Sequence, residues 1–125
     1  MPHTVLMVDD NVFSREAIAT MLRKIGHRVF CAADGHQALD MLEDHWPDVV
    51  LLDLALPRLN GLDWLKTVRQ MPAWKDLPVI LFTGSGDARE LVEGLGVAEC
   101  LVKSHASVKQ IHAAIARAPS QAAVA

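Results

Sequence analysis

The sequence has little of what marks a secreted, membrane-bound or nucleic-acid-binding protein. Its 125 residues include only two cysteines, Cys31 and Cys100. They lie far apart without Cys-x-x-Cys spacing, so they read as small buried apolar residues in a reducing compartment, not as a disulfide or metal framework. Apolar runs such as Val49–Leu52 fall far short of the roughly 20 residues a bilayer-spanning helix needs. No Lys/Arg block exists, and a formal charge of -3 gives no basis for a phosphate-tracking surface. The opening Met1-Pro2-His3-Thr4 runs straight into strand-like sequence, so no signal peptide is expected. The expected setting is cytoplasmic, with no membrane and no direct nucleic-acid contact.

What is present is an ordinary globular balance, 51% hydrophobic and 22% charged, in a length suited to one domain with a proper core. Two kinds of apolar segment alternate. Thr4–Val8, Arg28–Ala32, Asp48–Leu54, Val79–Thr83 and Glu99–Val102 are short and nearly continuous in apolar character, as strands buried on both faces of a parallel sheet are. Between them lie stretches with helical spacing. The first carries Phe13, Ala17, Ile18, Met21, Leu22 and Ile25 and stops at Gly26. The others are Gln37–His45, Leu62–Gln70, a short Ala88–Leu95, and Ser107–Arg117. The order is βα five times, which predicts an α/β, doubly wound three-layer sandwich on a five-stranded parallel sheet. The domain is expected over residues 1–118, with 119–125 a tail or linker stub.

Ligands of such sheets bind beyond the carboxyl ends of the strands. The first strand ends in Asp9-Asp10, the third carries Asp53 near its end, the fourth ends in Thr83 and the fifth in Lys103. Each has a plain reading alone. Asp10-Asn11 can be a turn or helix cap, Thr83 a strand-end hydroxyl, Lys103 a solvated charge. Together they put three carboxylates, a hydroxyl and an ammonium on one rim. Crowded carboxylates repel unless a cation holds them, and an oxygen-rich set suits a hard ion such as Mg²⁺.

The runs Val8-Asp9-Asp10-Asn11, Asp53-Leu54-Ala55-Leu56-Pro57-Arg58-Leu59-Asn60-Gly61, Pro78–Gly84 and Leu101-Val102-Lys103 resemble the receiver domain of response regulators over about residues 4–117. The resemblance implies a flavodoxin-like, chemotaxis-regulator-like sheet in 2-1-3-4-5 order. It implies a signalling switch of a two-component system, not an enzyme with a substrate of its own. Asp53 would accept a phosphoryl group from a sensor histidine kinase or phosphotransfer protein. Mg²⁺ (or Mn²⁺) would be held by Asp10, Asp53 and the backbone carbonyl of Ala55, with Asp9 acting mainly through water. Thr83 and Lys103 would contact the phosphoryl group, and the fourth helix, fifth strand and fifth helix would change surface for an unknown protein target. Ala55 and Ser85 would line the route of hydrolytic water. A monomer or weak dimer is expected, either standing alone or as the N-terminal receiver of a longer regulator.

Three departures from that family fall on the output face. Cys100 occupies the position where an aromatic usually swings, Ser104 replaces the usual cis proline after Lys103, and the segment Thr83 to Lys103 is about two residues short. A trans peptide or shifted loop is expected at Ser104, with a shrunken fourth helix. The histidines His3, His27, His36, His45, His105 and His112 are scattered and expected to be mostly solvated. Trp46 and Trp64 are expected to cover core edges; exposure of Trp64 or Trp74 would suggest a partner contact. Gly84-Ser85-Gly86 lacks the Lys-Ser/Thr sequel of a phosphate loop. A haloacid-dehalogenase-type phosphatase needs a second acid where Ala55 stands. A flavin binder needs a hydroxyl- and glycine-rich first loop where Asp9-Asp10-Asn11 stands. A receiver-fold interaction module working without phosphorylation is the remaining alternative.

Overall fold

A computed structural model describes residues 3–84 and 88–119. Ser85, Met1-Pro2 and the expected tail beyond Pro119 lie outside the described residues. The elements run β1 (Thr4–Val8), α1 (Val12–Ile25), β2 (Arg28–Ala32), α2 (Gly35–His45), β3 (Val49–Leu52), α3 (Gly61–Arg69), β4 (Val79–Thr83), α4 (Ala88–Leu91), β5 (Glu99–Val102) and α5 (Val108–Ala116). All strand pairs are parallel, in the order β2-β1-β3-β4-β5.

Successive strand residues point to opposite faces, and the continuous apolar strands therefore feed two cores. Leu6, Val8, Val50, Leu52 and Leu81 pack with Leu42, Trp64, Leu65 and Val92 on the face covered by α2, α3 and α4. Val5, Met7, Val49, Leu51, Ile80 and Phe82 pack with Leu22, Ile111 and Ile115 on the face covered by α1 and α5. Helix starts follow from short polar caps. The side chains of Asn11, Asp34, Asn60 and Ser107 each accept from the N–H three residues on. Gly26, at φ 117°, closes α1 in the left-handed region where a side chain would be strained.

Four local expectations change. Phe13, in phase with the α1 apolar set, is 86% exposed, and Met21 and Ile25 are also exposed. Of the expected set Leu22 is buried with Ile18 packed beside it, and Ala19 joins them on the inward face, because β1 and β2 cover only a narrow stripe of the helix. Trp64 and Trp74 are buried and Trp46 is the exposed tryptophan, at 52%. Trp46 terminates α2 at φ 46° and lies 4.5 Å from the Trp74 ring. The histidines are not mostly solvated: His3 and His27 are buried, His45 and His112 half-buried. α4 covers only four residues where eight were expected, since Gly94 and Gly96 turn the chain at φ 82° and 69°. Among the described residues, no helix is long and apolar enough to cross a membrane.

Candidate functional site

The sheet order changes direction at β1, whose neighbours β2 and β3 lie on opposite sides. A crevice opens where the chain turns away from such a switch point. Asp9 follows β1 and Asp53 follows β3, and the backbone fixes both. Asp9 N–H donates to Ala32 O (3.1 Å) and Asp53 N–H to Val8 O (3.0 Å), extending the ladder by one residue each. Lys103 N–H donates to Thr83 O (2.8 Å) at the ends of β5 and β4. The predicted residues therefore do meet on one rim.

Asp9, Asp10 and Asp53 each offer a carboxylate oxygen, all within 4.8 Å of one another. Asp9 is fully buried and Asp53 and Thr83 nearly so, while Asp10 is exposed. The Lys103 ammonium bridges two of the acids, Nζ lying 2.6 Å from Asp9 Oδ2 and 2.9 Å from Asp53 Oδ2. The other oxygens accept backbone bonds, Asp9 Oδ1 from Asn11 N–H (2.9 Å) and Asp53 Oδ1 from Ala55 N–H (3.1 Å).

One ammonium does not satisfy three acids. Burial pushes the Asp9 carboxyl above its ordinary range, although the Lys103 ammonium and the Asn11 N–H pull the other way. Burial alone would lower the Lys103 ammonium, but its bonds to Asp9 and Asp53 outweigh that and raise it. The donor set is all oxygen, partly buried, and short of positive charge. It fits a hard divalent cation.

The chain from residue 5 to residue 116 matches the family model described as "Response regulator receiver domain". The chain belongs to this family. It is 36% identical to the "Probable transcriptional regulator ycf27" of Guillardia theta over 113 residues, covering 89% of this chain and 43% of that protein. It is 38% identical to the "Response regulator MprA" of Mycobacterium sp. (strain KMS) over 95 residues, covering 76% of this chain and 40% of that one. The chain thus spans about two fifths of these relatives' length. Among solved structures, the Vibrio cholerae chemotaxis protein CheY4 superposes with a TM-score of 0.85 at 26% identity, covering 95% of this chain and 100% of the other.

Within the receiver fold, the departures are visible. Cys100 is half-buried on β5, and among the described residues no peptide bond is cis, so Lys103–Ser104 is trans. Supporting residues that sequence reasoning missed also appear. Arg15 reaches back from α1 to donate to Asp9 O (2.9 Å), and Arg58, at φ 61°, pairs with the α2 cap Asp34 at 3.2 Å. Gly61 permits a close approach beside the acid rim: a Cβ there would stand 2.3 Å from Asp53 O and 2.5 Å from Leu54 Cα. In the sequence the Asn-Gly pair at 60–61 counted only toward the family resemblance and did not signal this contact.

Proposed function

We propose that this receiver domain is a phosphorylation-dependent switch of a two-component system, with Asp53 the phosphoacceptor. The supporting observation is the meeting of Asp9, Asp10 and Asp53 within 4.8 Å of one another, with Lys103 bridging two of them. Asp9, Asp10 and Asp53 would hold Mg²⁺ (or Mn²⁺), with the Ala55 backbone carbonyl as a further oxygen. Once bound, that ion neutralises the crowded acids and the charge on the transferring group.

The remaining work falls to the chain itself. Phosphoryl transfer needs alignment and charge neutralisation more than covalent help. An Asp53 oxygen bonds to phosphorus as the P–N bond of a donor phosphohistidine breaks, and the proton needed by the leaving imidazole comes from solvent or donor. Lys103 exchanges its Asp53 oxygen for a phosphoryl oxygen, and the Thr83 hydroxyl donates to another. The donor is a sensor histidine kinase or phosphotransfer protein. Phe13, largely exposed one turn past Asp9-Asp10, is an apolar contact available to it. The new dianion draws Thr83 inward and alters the α4-β5-α5 surface read by a protein target. The setting is cytoplasmic, and the domain is a monomer or weak dimer.

The four-residue α4 and Cys100 favour a second reading, an interaction module that keeps the fold and has lost phosphotransfer. Incubation with acetyl phosphate and Mg²⁺ followed by mass spectrometry separates them. One phosphoryl group is expected on the native chain and none on Asp53→Asn. An adduct of equal yield in the variant rejects the assignment.

A further inference from the structure

The amino-terminal edge of the sheet, opposite the acidic rim, gathers three histidines. His3 leads into β1, His27 leads into β2, and His112 lies on α5. His3 and His27 are buried. The His3 backbone N–H donates to His27 Nδ1 at 3.1 Å, and His27 Nε2 lies 2.9 Å from His112 Nδ1. His3 Nε2 lies 2.7 Å from the carbonyl oxygen of Ala118, just past α5.

Donor and acceptor chemistry fixes the polarity of this chain. A backbone N–H only donates, so His27 Nδ1 must carry a lone pair, and the neutral ring then holds its proton on Nε2. That proton is donated to His112 Nδ1. A carbonyl only accepts, so His3 donates from Nε2, leaving its Nδ1 buried without a partner among the described residues. A second proton on His27 has only Nδ1 to go to, where it would meet the His3 N–H head-on. A transition-metal ion is poorly served here, because the His27 nitrogen facing His112 is protonated. Among the described residues only the aspartate cluster brings three ligand atoms together.

We propose that His27, held neutral between His3 and His112, is an acid-sensitive latch that fastens the end of α5 to the amino-terminal edge of the sheet. Protonation of His27 breaks the chain and loosens α5 near Arg117, the partner of Glu99 on β5. The β5-α5 surface is thereby biased without any change at Asp53. Burial first, and then the neighbouring His112 and His3, oppose a positive charge on His27. The elements around it bear Lys24 on α1, Arg28 on β2 and Lys109 on α5 as exposed cations. Of the carboxylates at this edge, Asp48 accepts from the Thr4 N–H at 2.7 Å and Glu99, which opens β5, pairs with Arg117.

The sign follows directly. An opened chain takes up a proton near the ordinary imidazole value of 6.5, which the closed latch refuses because its own value is lower. Closure is therefore at full strength above that pH. Below it, closure weakens by up to about tenfold per pH unit until the closed-state value is reached.

Amide hydrogen exchange by NMR on the full chain from pH 8 to 5, in EDTA, tests this. Protection of the Arg28, Arg117 and Ala118 amides, bonded to His3, Ala113 and Ile115 carbonyls, is expected to fall by up to about tenfold per unit below pH 6.5. Amides of β3 and β4 are expected to hold. His27→Gln can still accept from His3 and donate to His112 but takes no proton, so its fall is expected to vanish. Should that variant not fold, His112→Gln decides, since it still accepts from His27 and leaves His27 free to titrate. Its fall is expected to persist. An equal fall in His27→Gln, loss of the fall in His112→Gln, or uniform loosening of β3 and β4 overturns the latch. So does protection of the three amides by one equivalent of Zn²⁺ in a parallel sample without EDTA.

Discussion

Replacing Lys103 with methionine keeps the stem and removes the one ammonium that bridges Asp9 and Asp53. Two charge-assisted bonds, at 2.6 and 2.9 Å, are lost, and three carboxylates are left facing one another with Asp9 fully buried. Breaking a buried ion pair from one side costs about 3–5 kcal/mol. The Lys103 side chain is 22% exposed, so solvent screens part of the loss and the lower end, about 3 kcal/mol, applies. With a urea dependence of about 1–3 kcal/mol per M, the unfolding midpoint in EDTA should drop by on the order of 1 M or more. Excess Mg²⁺ should then stabilise Lys103→Met more than the native domain, because the cation meets the same acids without a competing ammonium. Urea melts of both proteins, in EDTA and in saturating Mg²⁺, supply the four numbers. An unchanged midpoint in EDTA, or a difference between the proteins that Mg²⁺ leaves untouched, refutes the electrostatic reasoning.

Two further substitutions probe the same rim. Gly61→Ala forces a methyl against Asp53 O and Leu54 Cα, so it should cost about 1–3 kcal/mol in a urea melt. It should also slow acetyl-phosphate labelling by about a hundredfold, the penalty of an ångström-scale misplacement. Asp9→Asn should raise the urea midpoint of the metal-free domain at pH 7. Burial holds the Asp9 carboxyl above its ordinary 3.8, so the folded state binds a proton more tightly than the unfolded state. Native stability therefore falls as pH rises through that window, and the ionised group is a cost at neutral pH. In the variant that pH dependence should shrink and Mg²⁺ stabilisation should be lost, both readable from melts between pH 4 and 8.

The sheet was legible because its strands are nearly continuous in apolar residues and all but β2 end on a polar landmark. Thr4–Val8, Arg28–Ala32, Val79–Thr83 and Glu99–Val102 match the observed strands residue for residue. The acid rim was legible for the same reason: in a parallel sheet, position along a strand dictates position on the rim. What escaped depended on packing across elements. Phe13 sits in helical phase with core residues, and only the narrow stripe of α1 facing the sheet shows that it points to solvent. His3, His27 and His112 are far apart in the chain and share no motif; they meet because α5 returns beside β1 and β2. Gly61 is only one letter of the receiver-like run until the approach of the Asp53 carbonyl gives it a steric role.

The account rests on a divalent cation seated among Asp9, Asp10 and Asp53, and Mn²⁺ titration followed by paramagnetic broadening of the amide spectrum tests it most directly. Saturation at a single site is predicted, with broadening centred on residues 9–11, 53–55 and 103, and its loss in Asp53→Asn. Broadening centred on another face, or none at millimolar Mn²⁺, would contradict it.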